Sequence, residues 1–599
     1  MFHLRPTQTL SYRWAIERTS TRRDSLRLAT LSMMPLPSVP SSVLNNLAIT
    51  TTILDHQSLF AHVTPLKPRA IDSLLTSHPN RSLVQSVIRV LQIGAWPFAS
   101  DTHVRHVRSV PRSWHYTDDD IVSASIVYRS KEVACGRYSK SFEQLRPGMV
   151  PLPYTTANTD RGVTVVADHG IHNSDIDRTH TGIAWDDADS LHCVLRELHD
   201  TPRPVHPVIL FKTKICDAFR LIPMHPCWQI KQVVVIAGQY HVDRCNSYGN
   251  RASGRLWGTV ISLLLWAAHN VLGIADLFCS VDIVYSWEKS GNTSVYDGYG
   301  EPITMPSKLA NLLHLWDRVG IPHSMRDHSW GECLEVNGVT LDAIQQTSSI
   351  SEKDARTLAQ AIARFVDPHI SHRSFLDFQR IAGWMAWALQ VAPTLRPGLT
   401  SIIETMRGKA SIFSPTAINR WVRYELQWFA SHISYHNHLR LQKWTAPALS
   451  KSDVVDIYCE STVIGAAFWI PSLLLGHRRR VQRKGLRASR KFYWDAFAVV
   501  SALKWVASNM SPRSMLCIHS TNPHIVASFN SMNAGSLYDV LMLSAADAII
   551  SAELIVTFTQ TLGKGSAVAR YICNLKKSSG CALYDSVPIT VRAMPLSVR

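Results

Sequence analysis

The 599-residue sequence is short of acid: 45 Asp and Glu stand against 62 Lys and Arg, a formal net charge of +17. Such a surplus argues against an acidic partner-binding surface and for a polyanionic partner, because summed basic potential concentrates phosphate around a protein. Paired cysteines are missing as well. The eleven Cys are scattered, odd in number and contain no CxxC, which excludes a disulfide framework and a zinc ribbon and fits a reducing, intracellular compartment, cytoplasm or nucleus. No HExxH, P-loop, GxSxG or GxGxxG occurs, so the 27 His read as surface or core imidazoles. Long apolar runs are nearly absent. Residues 256–275 (LWGTVISLLLWAAHNVLGIA) carry no charge and have bilayer-spanning length. Their His, Asn, Ser and Gly, and the strand-like segments on either side, predict instead a buried helix, with no membrane partner. Residues 1–34 are rich in Arg, Ser and Thr, but Glu17 and Asp24 interrupt them and no apolar core follows, so no targeting segment is expected.

What is present is apolar material for several cores. A hydrophobic share of 46% with 18 Trp excludes a disordered polyelectrolyte, and the length suggests about three or four domains. Residues 1–76, broken by MPLPSVPSS at 34–42, show no sustained periodicity and read as a loosely structured extension. Between residues 163 and 342, short β-branched runs (VTVVAD, PVILFKTKI, QVVVIAGQYHV, LFCSVDIVYSW) alternate with longer apolar segments in a mixed α/β pattern. Residues 351–428 read as helices, with Leu358, Ile362 and Phe365, then Ile381, Trp384, Met385 and Leu389, at three- and four-residue spacing and joints at Pro393 and Pro397. A second α/β segment follows, with strands expected at 454–470, 515–518 and 555–558 and a helix at 493–510. Within it, residues 477–491 (HRRRVQRKGLRASRK) hold Arg478, Arg479, Arg480, Arg483, Lys484, Arg487, Arg490 and Lys491 and no acid. This run reads as a solvated loop, a nuclear-import patch or a phosphate-tracking surface.

Three segments carry a resemblance: KTKICDAFRLIPMHP at 212–226, then QVVVIAGQYHVDRCNSYGNRASGRLWGTVISLLLWAA, then LFCSVDIVYSWEKSG. In this order they resemble successive palm motifs of retroelement reverse transcriptases. HPNRSLVQSVIRVLQIGAWPFA, GRYSKSFEQLRPGMVPLP, LLHLWDRVGIPH and FQRIAGWMAWALQVAPTLRPGL extend the likeness into fingers, palm end and thumb, most like fungal retrotransposons of the tyrosine-recombinase type. DIYCESTVIGAAFWIP, KFYWDAFAVVSALKW and VASFNSMNA resemble the ribonuclease H module that follows the polymerase in those elements.

The resemblance implies a two-metal polymerase site in which carboxylates from one palm strand and an adjacent hairpin hold Mg²⁺. Lys214 stands where the family has its first Asp, and only the second acid of that motif, Asp217, remains. The family's Tyr-Val-Asp-Asp is here Ser280-Val281-Asp282-Ile283, so Asp282 survives and the second Asp is replaced by Ile283. On an extended strand residues three apart face opposite ways, so Asp217 is not expected to substitute at position 214. For nucleotide binding the resemblance points to Arg161, Tyr248, Gly249 and Arg251, with Gly249 permitting close backbone approach and Arg251 able to meet a phosphate.

The ribonuclease H module of the family uses four carboxylates. The matching positions are Glu460, Asp495, Thr521 and Arg570, so two acids remain and a cation stands at the fourth. The resemblance therefore implies a right-hand polymerase followed by a ribonuclease H-like α/β domain, divided as residues 1–76, 77–345 (fingers and palm), 346–435 (helical thumb or connection) and 436–590. It implies Mg²⁺ as the family's cofactor but unproductive binding here at Asp282, Glu460 and Asp495, and RNA, DNA or RNA–DNA hybrid as partner. The expected function is a reverse transcriptase and ribonuclease H by ancestry, inactive at both sites. The alternatives are a non-catalytic nucleic-acid-binding protein and a non-functional retrotransposon relic. Oligomeric state stays open.

Overall fold

The computed structural model describes residues 26–100, 119–159, 162–167, 169–177, 179–186, 207–408, 414–440, 454–481, 489–561, 563–575, 580–584 and 587–594. It is a mixed helix and sheet architecture.

Residues 26–76 are a correction to the expected loose extension. Helices α1 (Leu47–Asp55) and α2 (Pro68–Leu74) form there, and Asn46 caps the first by accepting from the Ala48 and Ile49 amides. Leu26, Met33, Leu36, Ile49, Ile71 and Leu74 are buried in the same core as the next helix, α3 (Arg81–Ile93). Even the Pro/Ser stretch is tied down, because the Leu36 amide donates to Ser86 Oγ at 2.9 Å and Arg89 donates to the Leu36 carbonyl at 2.7 Å. Absence of periodicity here reflected short elements, each contributing one or two side chains to a core built by others.

Helix α4 (Asp119–Ala134) precedes the central strand β1 (Val208–Lys214), followed by α5 (Ser253–Asn270). Helix α5 is apolar all round and its residues 256–268 are buried, as a core helix should be. Among the described residues no single helix is long and apolar enough to cross a membrane. A tight hairpin joins β2 (Phe278–Ser280) to β3 (Ile283–Lys289), and after α6 (Ser307–Val319) comes β4 (His328–Gly331). The four strands form an antiparallel sheet in the order β4-β1-β3-β2.

The helical segment contains α7 (Glu352–Phe365), α8 (Phe375–Ala388) and α9 (Arg420–Ile433), with Ser351, Ser374 and Asn419 as N-caps. The Pro joints form a 3₁₀ turn, Pro393–Leu399. A four-stranded sheet, Cys333–Val336, Val339–Asp342, Thr347–Ile350 and His438–Arg440, brackets this segment. Its strands lie on both sides of the 345/346 division drawn from sequence, because the closing strand returns from beyond α9.

The C-terminal unit is a seven-stranded sheet. Its strands are β5 (Val454–Ser461), β6 (Gly465–Ile470), β7 (Leu475–Arg480), β8 (Met515–Ser520), β9 (Ile555–Gln560), β10 (Gly580–Tyr584) and β11 (Val587–Ala593), in the order β9-β8-β5-β6-β7-β11-β10. Strands β5, β6 and β7 are antiparallel neighbours, while β8 and β9 add in parallel on the other side of β5. Alternation sends Ile457 and Cys459 into the core made with α10 (Ser489–Asn509) and α12 (Asp539–Ser551). On the opposite face Tyr458, Ala467 and Trp469 pack with Ala569, Ile572 and Cys573 of α13 (Lys564–Asn574). The first of these cores also contains Leu210, Tyr285 and Trp287 of the central sheet, so it runs from that sheet through the helical segment into the C-terminal unit.

Candidate functional site

Two groups of residues singled out in the sequence converge, one at each sheet. At the central sheet, backbone pairing sets Lys214, the last residue of β1, directly opposite Ile283, the first of β3. The Ile215 amide donates to the Asp282 carbonyl at 2.7 Å, so positions 214, 282 and 283 form one constellation. Asp282 lies in the two-residue turn of the β2–β3 hairpin, beside Val281 at φ 58. A β-branched residue in that left-handed region is strained, and the turn is over-determined by its surroundings. Trp257 Nε1 of α5 donates to the Val281 carbonyl at 2.6 Å, and Asn337 Nδ2 donates to Ser280 Oγ at 2.7 Å.

Asp217 is not part of that constellation. The strand has ended, and Asp217 sits at φ 48 as the entry to the 3₁₀ turn Ala218–Leu221. The expectation that it would lie on the opposite face of the same strand is therefore corrected, although the conclusion that it does not replace residue 214 is unchanged. Its carboxylate meets Arg137 at 3.1 Å and Lys131 at 3.4 Å. Burial raises its pKa, but the two cations more than offset this and hold it below the usual carboxylate range. The same network continues inward. Arg220, 2% exposed, bridges Glu132 at 2.8 Å and Asp243 at 2.8 Å, and Arg137 also pairs with Glu132. No sequence signal identified this cluster, whose members are supplied by residues 132, 137, 220 and 243.

The nucleotide-binding expectations fare unevenly. The Tyr248 ring lies tilted against Phe219 at 5.7 Å between centroids, and burial, with the Asp217 and Asp282 carboxylates adding to it, pushes its phenol well above its usual pKa. Gly249 has φ 93, and a Cβ there would collide with the Ala167 carbonyl oxygen. Its close approach is thus to the protein's own strand Gly162–Ala167. Arg251 Nη1 donates to the carbonyls of Asn173 and, at 2.9 Å, Ile176, which fixes the loop after Gly170–Asn173. Arg161 lies outside the described residues.

A carboxylate unanticipated from sequence, Asp186, ties the N-terminal segment to this sheet. It accepts from the Leu26 and Cys279 amides, each at 2.9 Å, and burial pushes its pKa up to about 6.

In the C-terminal unit all four expected positions meet at the ends of β5 and β8. Glu460 Oε2 accepts from Thr521 Oγ1 at 3.0 Å and lies 3.8 Å from Arg570. Asp495 accepts from Ser461 Oγ and from Asn522 Nδ2 at 2.8 Å, and pairs with Lys491 at 3.1 Å. Burial raises the Glu460 pKa, with the neighbouring Asp495 adding to it and Thr521, Arg570 and Lys491 opposing. Glu460 Oε1 is buried with no hydrogen-bond partner.

The described members of the basic run, Arg478, Arg479, Arg480 and Lys491, have different surroundings. Arg478 is 1% exposed and its Nε donates to the Cys573 carbonyl at 3.1 Å, while Arg479 lies over the Phe497 ring at 4.9 Å. Arg480 is exposed at the end of β7. Lys491 is committed to Asp495. Burial of Arg478 follows from β7 being covered on both faces, with Leu475 to Arg478 all buried, a correction to its reading as a nucleic-acid contact. Arg483, Lys484 and Arg487 lie outside the described residues, as does the side chain of Arg490.

Magnesium calls for a near-octahedral set of oxygen ligands. Neither group fits. The central sheet offers Asp282 beside the Lys214–Ile283 pair, and the C-terminal group has two acids already matched by two cations.

No protein-family model and no curated protein matches the chain. Among solved structures it is similar to a foamy viral protease-reverse transcriptase in complex with double-stranded DNA, at 12% identity, covering 84% of this chain and 83% of that one with a TM-score of 0.39. It is also similar to a foamy viral protease-reverse transcriptase in complex with an RNA/DNA hybrid, at 11% identity, covering 89% of this chain and 67% of that one with a TM-score of 0.38.

Proposed function

We propose that the chain is a retroelement-derived reverse transcriptase and ribonuclease H polypeptide that binds nucleic acid without metal-dependent chemistry. The observation that carries this reading is the double convergence. Positions 214, 282 and 283, and separately 460, 495, 521 and 570, were selected by motif resemblance alone, and each set meets in space. Strand order supports the second assignment, since three antiparallel strands flanked by two parallel ones are what a ribonuclease H-like domain requires. Fingers, palm and thumb correspond in this reading to the regions up to β4 and the helices α7 to α9.

Loss of function follows from electrostatics. Two divalent ions cannot be assembled around a single carboxylate with an ammonium-bearing strand neighbour, because the ions' mutual repulsion is offset only by several anionic oxygens. Arg570 and Lys491 raise the same objection at the other group. Binding has fewer requirements, since phosphate contacts need only cations on the surface, and the net charge of +17 supplies a surplus.

The test is equilibrium binding of the full-length chain to an RNA–DNA hybrid and to duplex DNA as salt is varied. Several phosphate contacts give a slope of log K against log salt steeper than about −3. Absent or salt-insensitive binding at low ionic strength would exclude the binding function.

A further inference from the structure

On the face of the C-terminal sheet that carries Glu460, three different metal-seeking donors lie side by side. Asp456 on β5 is directly opposite Cys517 on β8, and His519 follows two residues later on the same face of β8. Ligand atoms of the three lie within 4.8 Å of one another. Among the described residues no other group of three His, Cys, Asp or Glu side chains converges in this way. We propose that Asp456, Cys517 and His519 form a binding site for a divalent transition ion of the zinc class, separate from the vestigial acid group at Glu460.

The surroundings support a ligating geometry. His519 Nε2 faces Asp456 Oδ1 at 2.8 Å, while its other nitrogen, Nδ1, meets Thr559 Oγ1 at 2.9 Å. A hydroxyl on the second ring nitrogen fixes the tautomer and orientation of a metal-binding imidazole, as acceptors behind such ligands generally do. Tyr458 stacks on the imidazole at 4.4 Å and limits its rotation. Cys517 Sγ lies 3.5 Å from the same Thr559 hydroxyl, so one threonine on β9 braces two of the three donors. Side-chain exposure of 52% at Asp456 leaves one flank open for a fourth ligand, water. Thiolate and imidazole donors select zinc-like ions over Mg²⁺. An imidazolium–carboxylate pair of His519 and Asp456, with Cys517 as a further neighbour of the imidazole, is the metal-free alternative that the Zn²⁺ titration separates. Binding displaces the thiol proton to solvent, and any proton on Nε2, so affinity rises with pH.

The experiment uses the full chain, stripped with a chelator and titrated with Zn²⁺ against a chromophoric competitor, then with Co²⁺ to read thiolate-to-metal charge transfer. One equivalent is expected, with a thiolate band for Co²⁺. Asp456→Ala weakens Zn²⁺ binding at least 10-fold, Thr559→Val weakens it about 10- to 100-fold, and Cys517→Ser removes the band. The double variant Glu460→Gln, Asp495→Asn leaves both unchanged, which separates this site from the acid group. Absence of stoichiometric Zn²⁺, or Zn²⁺ binding unaffected by Asp456→Ala, overturns the proposal. Asp456 is exposed, so that variant decides even if Cys517→Ser fails to fold.

Discussion

At the β2–β3 hairpin Lys214 stands opposite Ile283, a pair with no carboxylate, whereas in the C-terminal sheet each acid of the candidate group is matched by a cation. The remaining acid of the first strand motif, Asp217, faces away into the Arg137–Lys131 network. Glu460 and Asp495 instead remain at their site, with Arg570 and Lys491 beside them. Under the proposed function the two places differ in kind: at the hairpin Asp282 stays in the turn while Asp217 joins a neighbouring ion-pair network, and in the C-terminal sheet the two acids sit in a local ion-pair cluster.

The largest expected effect tests the scaffold side of this contrast. Arg220→Ala leaves Asp243 buried without its cation and Glu132 with Arg137 alone, and urea denaturation should show a loss of about 3–5 kcal/mol. Retention of wild-type stability would mean that the network is incidental. Next comes restoration of acids. Thr521→Asp with Arg570→Asp should cost about 1–3 kcal/mol without divalent ions, and Mg²⁺ at about 100 times its Kd should return about 2.7 kcal/mol. The parent chain should show no Mg²⁺-dependent shift in Tm, and a shift there would remove the distinction between decayed and functional clusters.

A pH-dependent effect, smaller within any one pH unit, lies at the joint between the helical segment and the C-terminal unit. Asp539 of α12 accepts from Thr400 and faces Glu425 of α9, and burial together with the Glu425 carboxyl pushes its pKa up to about 8. A carboxyl raised in the folded state contributes stability that is fully present below its unfolded value near 4 and is lost as pH rises through about 8. Stability should therefore fall by at most about 1.4 kcal/mol per pH unit across that window, and Asp539→Asn should flatten the dependence.

Motif order constrains position, so the Lys214, Asp282, Ile283 set and the Glu460, Asp495, Thr521, Arg570 set could be drawn from sequence, and each meets in space. The burial of α5 was legible from its composition and the strands on either side. What escaped has a common physical reason. Arg220 with Glu132 and Asp243, Asp186 with Leu26, and His519 with Asp456 each join residues far apart in the chain, so no spacing rule applies. A run of like charges suggests a solvated surface, yet β7 is covered on both faces over Leu475–Arg478, so Arg478 is buried. The N-terminal helices were missed because short segments lack the length for periodicity to register.

The central claim is that both sites are chemically silent. The most direct measurement is primer extension on an RNA template, with cleavage of an RNA–DNA hybrid followed in parallel, using the full-length chain with Mg²⁺ or Mn²⁺. The account predicts no extension and no cleavage above background, whether or not Asp282→Asn is introduced. Robust metal-dependent extension that Asp282→Asn abolishes would contradict it.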